Sequence, residues 1–233
     1  MSENLDEKSV PFDKFELFAA ILLGLAAIGA ALAGYQSNLW GGKSTEAYGE
    51  AATRSTKAST QYNLSVVGIA HDLNVDIEAK KLIAEAAYSN DPAAKKRALD
   101  LASYLYTTQL DSEAYAAFKL PPEYREGDRE KRFEIPEETL MGLFDVELEE
   151  DYYTAVLADG NKEFADADNR FDEGRKANDT GDTFDLIGVI YTVALFFAGI
   201  ALIFRTNIRW KFLYLSGAVF VAATVYLLLT PWA

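Results

Sequence analysis

The chain contains no cysteine and a single histidine, His71, in 233 residues. Without cysteine there are no disulfides, no thiolate-held zinc or iron–sulfur cluster and no thiol nucleophile. One histidine cannot build a histidine-based zinc site within one chain. Basic residues are also scarce, 22 Lys and Arg against 36 Asp and Glu, for a formal charge of −14. A nucleic acid needs a basic surface to displace its counterions, so nucleic-acid binding is excluded as a function class. No nucleophile–base pair or metal-ligand cluster stands out. No catalytic, cofactor-binding or metal-ligating residue is therefore assigned, no cofactor is expected, and the chain is not read as an enzyme.

What the chain has instead is long uncharged runs. Leu17 to Gly34, Leu186 to Phe204 and Phe212 to Thr230 carry no charge. Eighteen residues of helix reach about 27 Å, close to the ~30 Å hydrocarbon core of a bilayer. The pattern predicts an all-α, multi-pass membrane protein with transmembrane helices over 17–34, 184–204 and 212–230. The acidic flank before the first run (Glu3, Asp6, Glu7, Asp13, Glu16) speaks against a cleaved signal peptide. Aromatic rings mark the ends: Phe12, Phe15 and Phe18, then Tyr35 and Trp40, for the first run, and Trp210, Tyr214, Tyr226 and Trp232 for the third.

The short loop 205–211 holds Arg205, Arg209 and Lys211 and no acid. Cation-rich short loops stay in the cytoplasm, which predicts a cytoplasmic amino terminus (the acidic segment 1–16), an extracytoplasmic 35–183 and an outer tail 231–233 in the cell membrane. No ionised group lies in the middle of any run. Tyr191, Thr192, Ser216, Thr224 and Tyr226 are the polar side chains available to line a path. Within the first run Ala20, Gly24, Ala26, Gly29, Ala30, Ala33 and Gly34 form small pairs four residues apart, the signature of a close helix-packing seam.

Residues 35–183 hold 30 of the acids and 17 of the bases, and so −13 of the −14. They read as long helices of a coiled-coil-like domain. Tyr48, Ala52, Ser55, Ser59, Tyr62, Val66, Ile69, Leu73 and Ile77 recur at alternating four and three, the spacing of a coiled-coil seam. Asp91-Pro92 predicts a capped helix start, with the helix running to Leu120 before Pro121-Pro122. Glu123 to Ile135 reads as a charged exposed loop. Pro136-Glu137-Glu138 opens another helix, and a long one follows from Val146 to about Ala177, weakened at Gly160 and Gly174 by about 1 kcal/mol each. The first and last helices are expected to continue spans one and two.

Several patterns mimic sites. Gly41-Gly42-Lys43-Ser44 matches the end of a phosphate-binding loop, but Ser37 replaces the required glycine and no strand precedes it, so a helix-to-helix elbow is preferred. Asp166, Asp168, Asp172 and Glu173 lack the glycine and glutamate of a calcium loop and suit a solvated helix face. A weak divalent-cation site shared between subunits stays open there, and the same holds at Glu147, Glu149, Glu150 and Asp151.

Gly34-Tyr35-Gln36, Leu39-Trp40-Gly41-Gly42 and Tyr48-Gly49-Glu50 follow the first span, and Glu173-Gly174-Arg175-Lys176-Ala177-Asn178 precedes the second. In this layout the chain resembles a group of uncharacterised prokaryotic three-span membrane proteins. The resemblance implies the three-span topology and no activity. It places Tyr35, Gln36, Trp40, Asn178 and Asp182 in one polar elbow cluster where the long helices enter the membrane, with Gln36 near Asn178. The function expected from the sequence is an oligomeric membrane scaffold or accessory subunit that self-associates in the lipid bilayer and meets a protein partner on its acidic domain. The alternative is an oligomeric ion channel with an acidic, cation-concentrating vestibule.

Overall fold

The structure is a computed structural model and describes residues 14–126 and 134–233. Phe12 and most of the acidic amino-terminal segment therefore lie outside the described residues. Among the described residues seven helices follow one another: α1 Lys14–Tyr88, α2 Pro92–Thr108, α3 Ser112–Ala117, α4 Glu123–Glu126, α5 Glu137–Leu143, α6 Glu150–Ile203 and α7 Ile208–Leu229. No strand occurs among the described residues. Three of the helices, α1, α6 and α7, are long and apolar enough to cross a membrane. Only 22%, 28% and 22% of the residues in their most apolar stretches are buried. The chain divides into two compact units. One is made of 1–51 with 169–233, and the other of 52–168. The acidic stretch is thus split, with 35–51 and 169–183 belonging to the unit that holds the apolar helices.

In the first unit, α1 buries Phe15, Ala19, Ala26, Ala33, Gln36, Ser44, Ala47 and Ala51. The intervals are three, four, seven or eight, so one face of a 3.6-residue helix is covered. Ala26 and Ala33 pack with Phe184, Ile187, Tyr191 and Ala194 of α6 and with Ala223 and Leu227 of α7. At the other end Phe15 and Ala19 meet Ala201 and Leu213, and the Phe15 ring stands edge-on to Trp210 at 5.1 Å. Several polar side chains of these helices are bonded within the unit. Tyr191 shares a 3.0 Å hydrogen bond with Thr224, Ser216 donates to the Ala194 carbonyl at 2.7 Å, and Thr192 donates back to Gly188.

The expected elbow at Gly41-Gly42 does not break the helix: α1 continues through it as one 75-residue element. Each glycine costs about 1 kcal/mol relative to alanine, a weak preference that side-to-side packing overrides. Thr45 bonds back to the Gly41 carbonyl, and Ser44 reaches across to the Gly174 carbonyl of α6 at 3.0 Å. A continuous helix leaves no loop of free amides for a phosphate, so the phosphate-loop mimicry has no structural counterpart.

In the second unit, the later part of α1 and the early part of α6 pack with α2, α3 and α5 around Val75, Ile83, Ala102, Tyr106, Leu110, Phe118, Leu140 and Tyr152. The stripe expected on α1 is displaced by one residue. Residues 51, 58, 72 and 76 are buried where 52, 59, 73 and 77 were expected, and Ile77 is 52% exposed. The spacing is that of the sequence reading, but the contacting side chains are small or polar. Gly160 of α6 lies against the Tyr62 backbone, and the Tyr62 and Val66 side chains stay exposed.

Asp91 caps α2 through a 2.9 Å bond from the Ala93 amide, with Pro92 in the first turn. The helix expected to reach Leu120 stops at Thr108 and restarts at Ser112 as α3. The break is held by Asp72, which accepts the Asp111 amide at 2.9 Å, and by His71, whose Nε2 donates to the Gln109 carbonyl at 2.9 Å. Chain exit from α3 uses Lys119 at φ 56°, a left-handed conformation that a residue other than glycine adopts at a cost. Of the expected exposed loop 123–135, residues 127–133 lie outside the described residues. Its beginning forms α4, and Ile135 at its end is buried with its amide donating to Ser103 at 2.8 Å.

Candidate functional site

Two places concentrate polar chemistry, one in each unit. In the second unit, Asp72 and Asp76 lie one helical turn apart on α1 and are 1% and 6% exposed. Asp72 accepts the Tyr152 hydroxyl at 2.6 Å in addition to the Asp111 amide. Asp76 accepts the Tyr106 hydroxyl at 2.7 Å and the Lys80 ammonium at 2.9 Å. Lys80 continues to the Val146 carbonyl at 2.5 Å. Burial first, then the hydrogen bond to a carboxylate, raises the pKa of both Tyr106 and Tyr152 well above the usual tyrosine range. Every oxygen of the two aspartates is satisfied. Such an arrangement pins helices together and leaves no group free to move a proton to a substrate. Nothing in the apolar periodicity pointed to it, although two aspartates four apart with Asp72 next to the expected apolar Leu73 were the available signal.

In the first unit, a groove of about 450 Å³ runs between α1 and α6 beyond the Trp40 end of the apolar stretch of α1, lined by Trp40, Lys43, Glu46, Ala47, Glu50, Arg170, Glu173, Lys176, Ala177 and Thr180. The Lys43 ammonium sits 4.5 Å over the Trp40 ring. Arg170 bonds Glu50 at 3.0 Å and Glu173 at 2.6 Å. The Glu173 bond, helped by Glu50 and Glu46, raises the Arg170 pKa.

The residues expected in the elbow cluster are distributed around this place. Trp40 donates its indole N–H to the Pro231 carbonyl at 3.1 Å, and Gln36, buried, accepts the Ala233 amide at 2.9 Å. Asn178 bonds Asp182 at 3.1 Å on an exposed face of α6, one turn apart on the same helix. Tyr35 is exposed. The residue of α6 that meets the 37–41 segment is Gly181. A Cβ there would lie 3.4 Å from the Ser37 carbonyl oxygen and 3.5 Å from the Trp40 Cβ.

The seven small residues of the seam divide. Ala26, Gly29 and Ala33 are buried and Ala30 is half-buried, whereas Ala20 and Gly24 are exposed and Gly34 is intermediate. A Cβ on Gly29 would stand 2.5 Å from the Tyr191 ring, but one on Gly24 would meet nothing within 4 Å. The matching small residues of α6 were not read from the sequence as a seam, although their spacing is regular. Gly160, Ala167, Gly174, Gly181 and Gly188 recur at every seventh position. Four of the five are buried, and Gly160 and Gly174 lie against Tyr62 and Tyr48.

Three of the four acids in the run on α6 are engaged in ion pairs. Asp166 meets Arg54, Asp172 meets Arg175 and Glu173 meets Arg170. Among the described residues no group of three or more His, Asp or Glu is arranged to hold a metal ion. No protein-family model, no curated protein sequence and no solved structure matches the chain.

Proposed function

We propose that the protein is an oligomeric membrane scaffold or accessory subunit, with α1, α6 and α7 crossing the bilayer and the acidic helical region outside it. The observation that carries this reading is a face of α1 that the chain itself does not cover. Ala20, Gly24, Ala27 and Ala31 are all exposed at helical spacing in the apolar stretch, on the opposite side from the buried Ala26, Gly29 and Ala33. In lipid, association is driven by the close approach that small residues permit, so this face suits a helix of another subunit. The alternating three-and-four contacts along α1 support a coiled-coil pairing with α6. The basic loop with Arg205, Arg209 and Lys211 supports a cytoplasmic placement of the α6–α7 turn and an extracytoplasmic acidic region.

The channel alternative has less support. Tyr191, Thr192, Ser216 and Thr224 bond within the chain and supply no continuous polar stripe. Native mass spectrometry and cross-linking of the full chain in detergent test the scaffold reading. A discrete oligomer is the expected result, and a strictly monomeric protein in mild detergent would sink it.

A further inference from the structure

The groove between α1 and α6 in the first unit has an internal polarity. Toward the apolar ends of the helices stand Trp40, Lys43 and Lys176, and farther out stand Glu46, Glu50 and Glu173 around Arg170. The Lys43 ammonium lies over the Trp40 ring, and among the described residues Lys43, Lys176 and Glu46 make no ion pair. Three carboxylates around one guanidinium leave the outer end negative, while the two ammonium groups make the inner end positive. Trp40 belongs at the headgroup level of a bilayer, so the positive end lies at phosphate depth and the negative end just beyond it.

We propose that this groove holds the phosphoethanolamine headgroup of a membrane phospholipid, its phosphate between Lys43 and Lys176 and its primary ammonium on Glu46 and the outward oxygens of Glu50 and Glu173. A simple anionic headgroup would satisfy the lysines but would leave the acidic end facing nothing of opposite charge. A choline headgroup has no N–H to give the carboxylates, and quaternary ammonium groups are taken by aromatic cages. The one aromatic ring here, Trp40, lies under Lys43 at the phosphate end. The rise from Lys43 to Glu46 along α1 is about 4.5 Å, comparable to the two-carbon arm between phosphate and amine.

The inference rests on the membrane reading and deepens it. The test uses the full chain in detergent with short-chain phosphatidylethanolamine, phosphatidylglycerol, phosphatidylcholine and inorganic phosphate as probes, read by native mass spectrometry. Phosphatidylethanolamine should be retained in preference to the others. Lys43→Ala with Lys176→Ala should weaken its retention about tenfold or more. Glu46→Gln should erase the preference over phosphatidylglycerol while leaving phospholipid binding in place. Equal binding of phosphatidylglycerol or phosphatidylcholine would overturn the assignment, as would inorganic phosphate competing as strongly as the lipid. Because both lysines are exposed, the double variant should keep its thermal melt, which separates loss of binding from loss of fold. Flotation with phosphatidylethanolamine–phosphatidylglycerol vesicles reports on the membrane reading by itself. A chain that does not float removes both ideas, and one that floats without headgroup preference removes only this one.

Discussion

In the first unit, the apolar stretch of α1 meets α6 through Ala26, Gly29 and Ala33 under the ring of Tyr191, and the polar side chains beside them make isolated bonds such as Tyr191 to Thr224. In the second unit, α1 meets its neighbours through Asp72 and Asp76, each tied to a tyrosine on another helix. On the membrane reading proposed above, the difference follows from what surrounds each helix. Apolar surroundings give no hydrophobic incentive for one apolar helix to leave them for another, so close packing of small side chains carries the contact. In water, apolar burial already drives collapse, and buried hydrogen bonds can select one arrangement among many.

The comparison can be broken most forcefully at Asp72. Asp72→Ala strips the Tyr152 hydroxyl and the Asp111 amide of their acceptor, and should destabilise the second unit by about 3 kcal/mol. The helical melt of the full chain should then show an early transition, with Asp72→Asn falling between the variant and the parent. A melt unchanged by Asp72→Ala would mean that apolar packing alone holds that unit.

The next effect belongs to the first unit. Gly29→Ala drives a methyl group into the Tyr191 ring, which is 1% exposed and held by Thr224, so it should cost about 1–3 kcal/mol. Gly24→Ala, five residues away, meets nothing and should raise stability slightly, by up to about 1 kcal/mol. Gly24→Leu should keep the monomer fold and reduce the oligomer seen by cross-linking. The contrast between the two glycines vanishes if the α1–α6 contact uses another face.

Alkaline pH should separate the units by a smaller margin. Tyr106 and Tyr152 have raised pKa values in the folded state, so their neutral forms favour folding. That stability is complete below the unfolded tyrosine value of about 10 and declines as pH rises above it. The thermal transition of the second unit should fall above pH 10, and Tyr106→Phe with Tyr152→Phe should flatten the dependence. The smallest effect is expected at Lys119, where glycine relieves the left-handed conformation. Lys119→Gly should raise stability by about 0.5–1 kcal/mol, read from the same melt.

Much of this architecture is legible in the chain. The three uncharged runs specify the three apolar helices, Asp91-Pro92 specifies the start of α2, and Pro136 the start of α5. Other features depend on contacts distant in sequence. Gly41-Gly42 looks like a break by local preference, and Ser44 on Gly174 keeps the helix whole. Residues 92–120 look like one helix by periodicity, and Asp72, far upstream, takes the Asp111 amide and divides it.

The sequence by itself determined the number of apolar helices, the all-helical character and the location of the negative charge. Each depends on local composition and length, and a neighbour cannot alter them. Only the tertiary structure decided which face of α1 is buried. Bulk points to Tyr48, Tyr62, Val66 and Ile77. The structure instead buries 51, 58, 72 and 76, one position earlier, and α6 meets Tyr48 and Tyr62 with Gly174 and Gly160, because side-chain volume limits how near two helices can come.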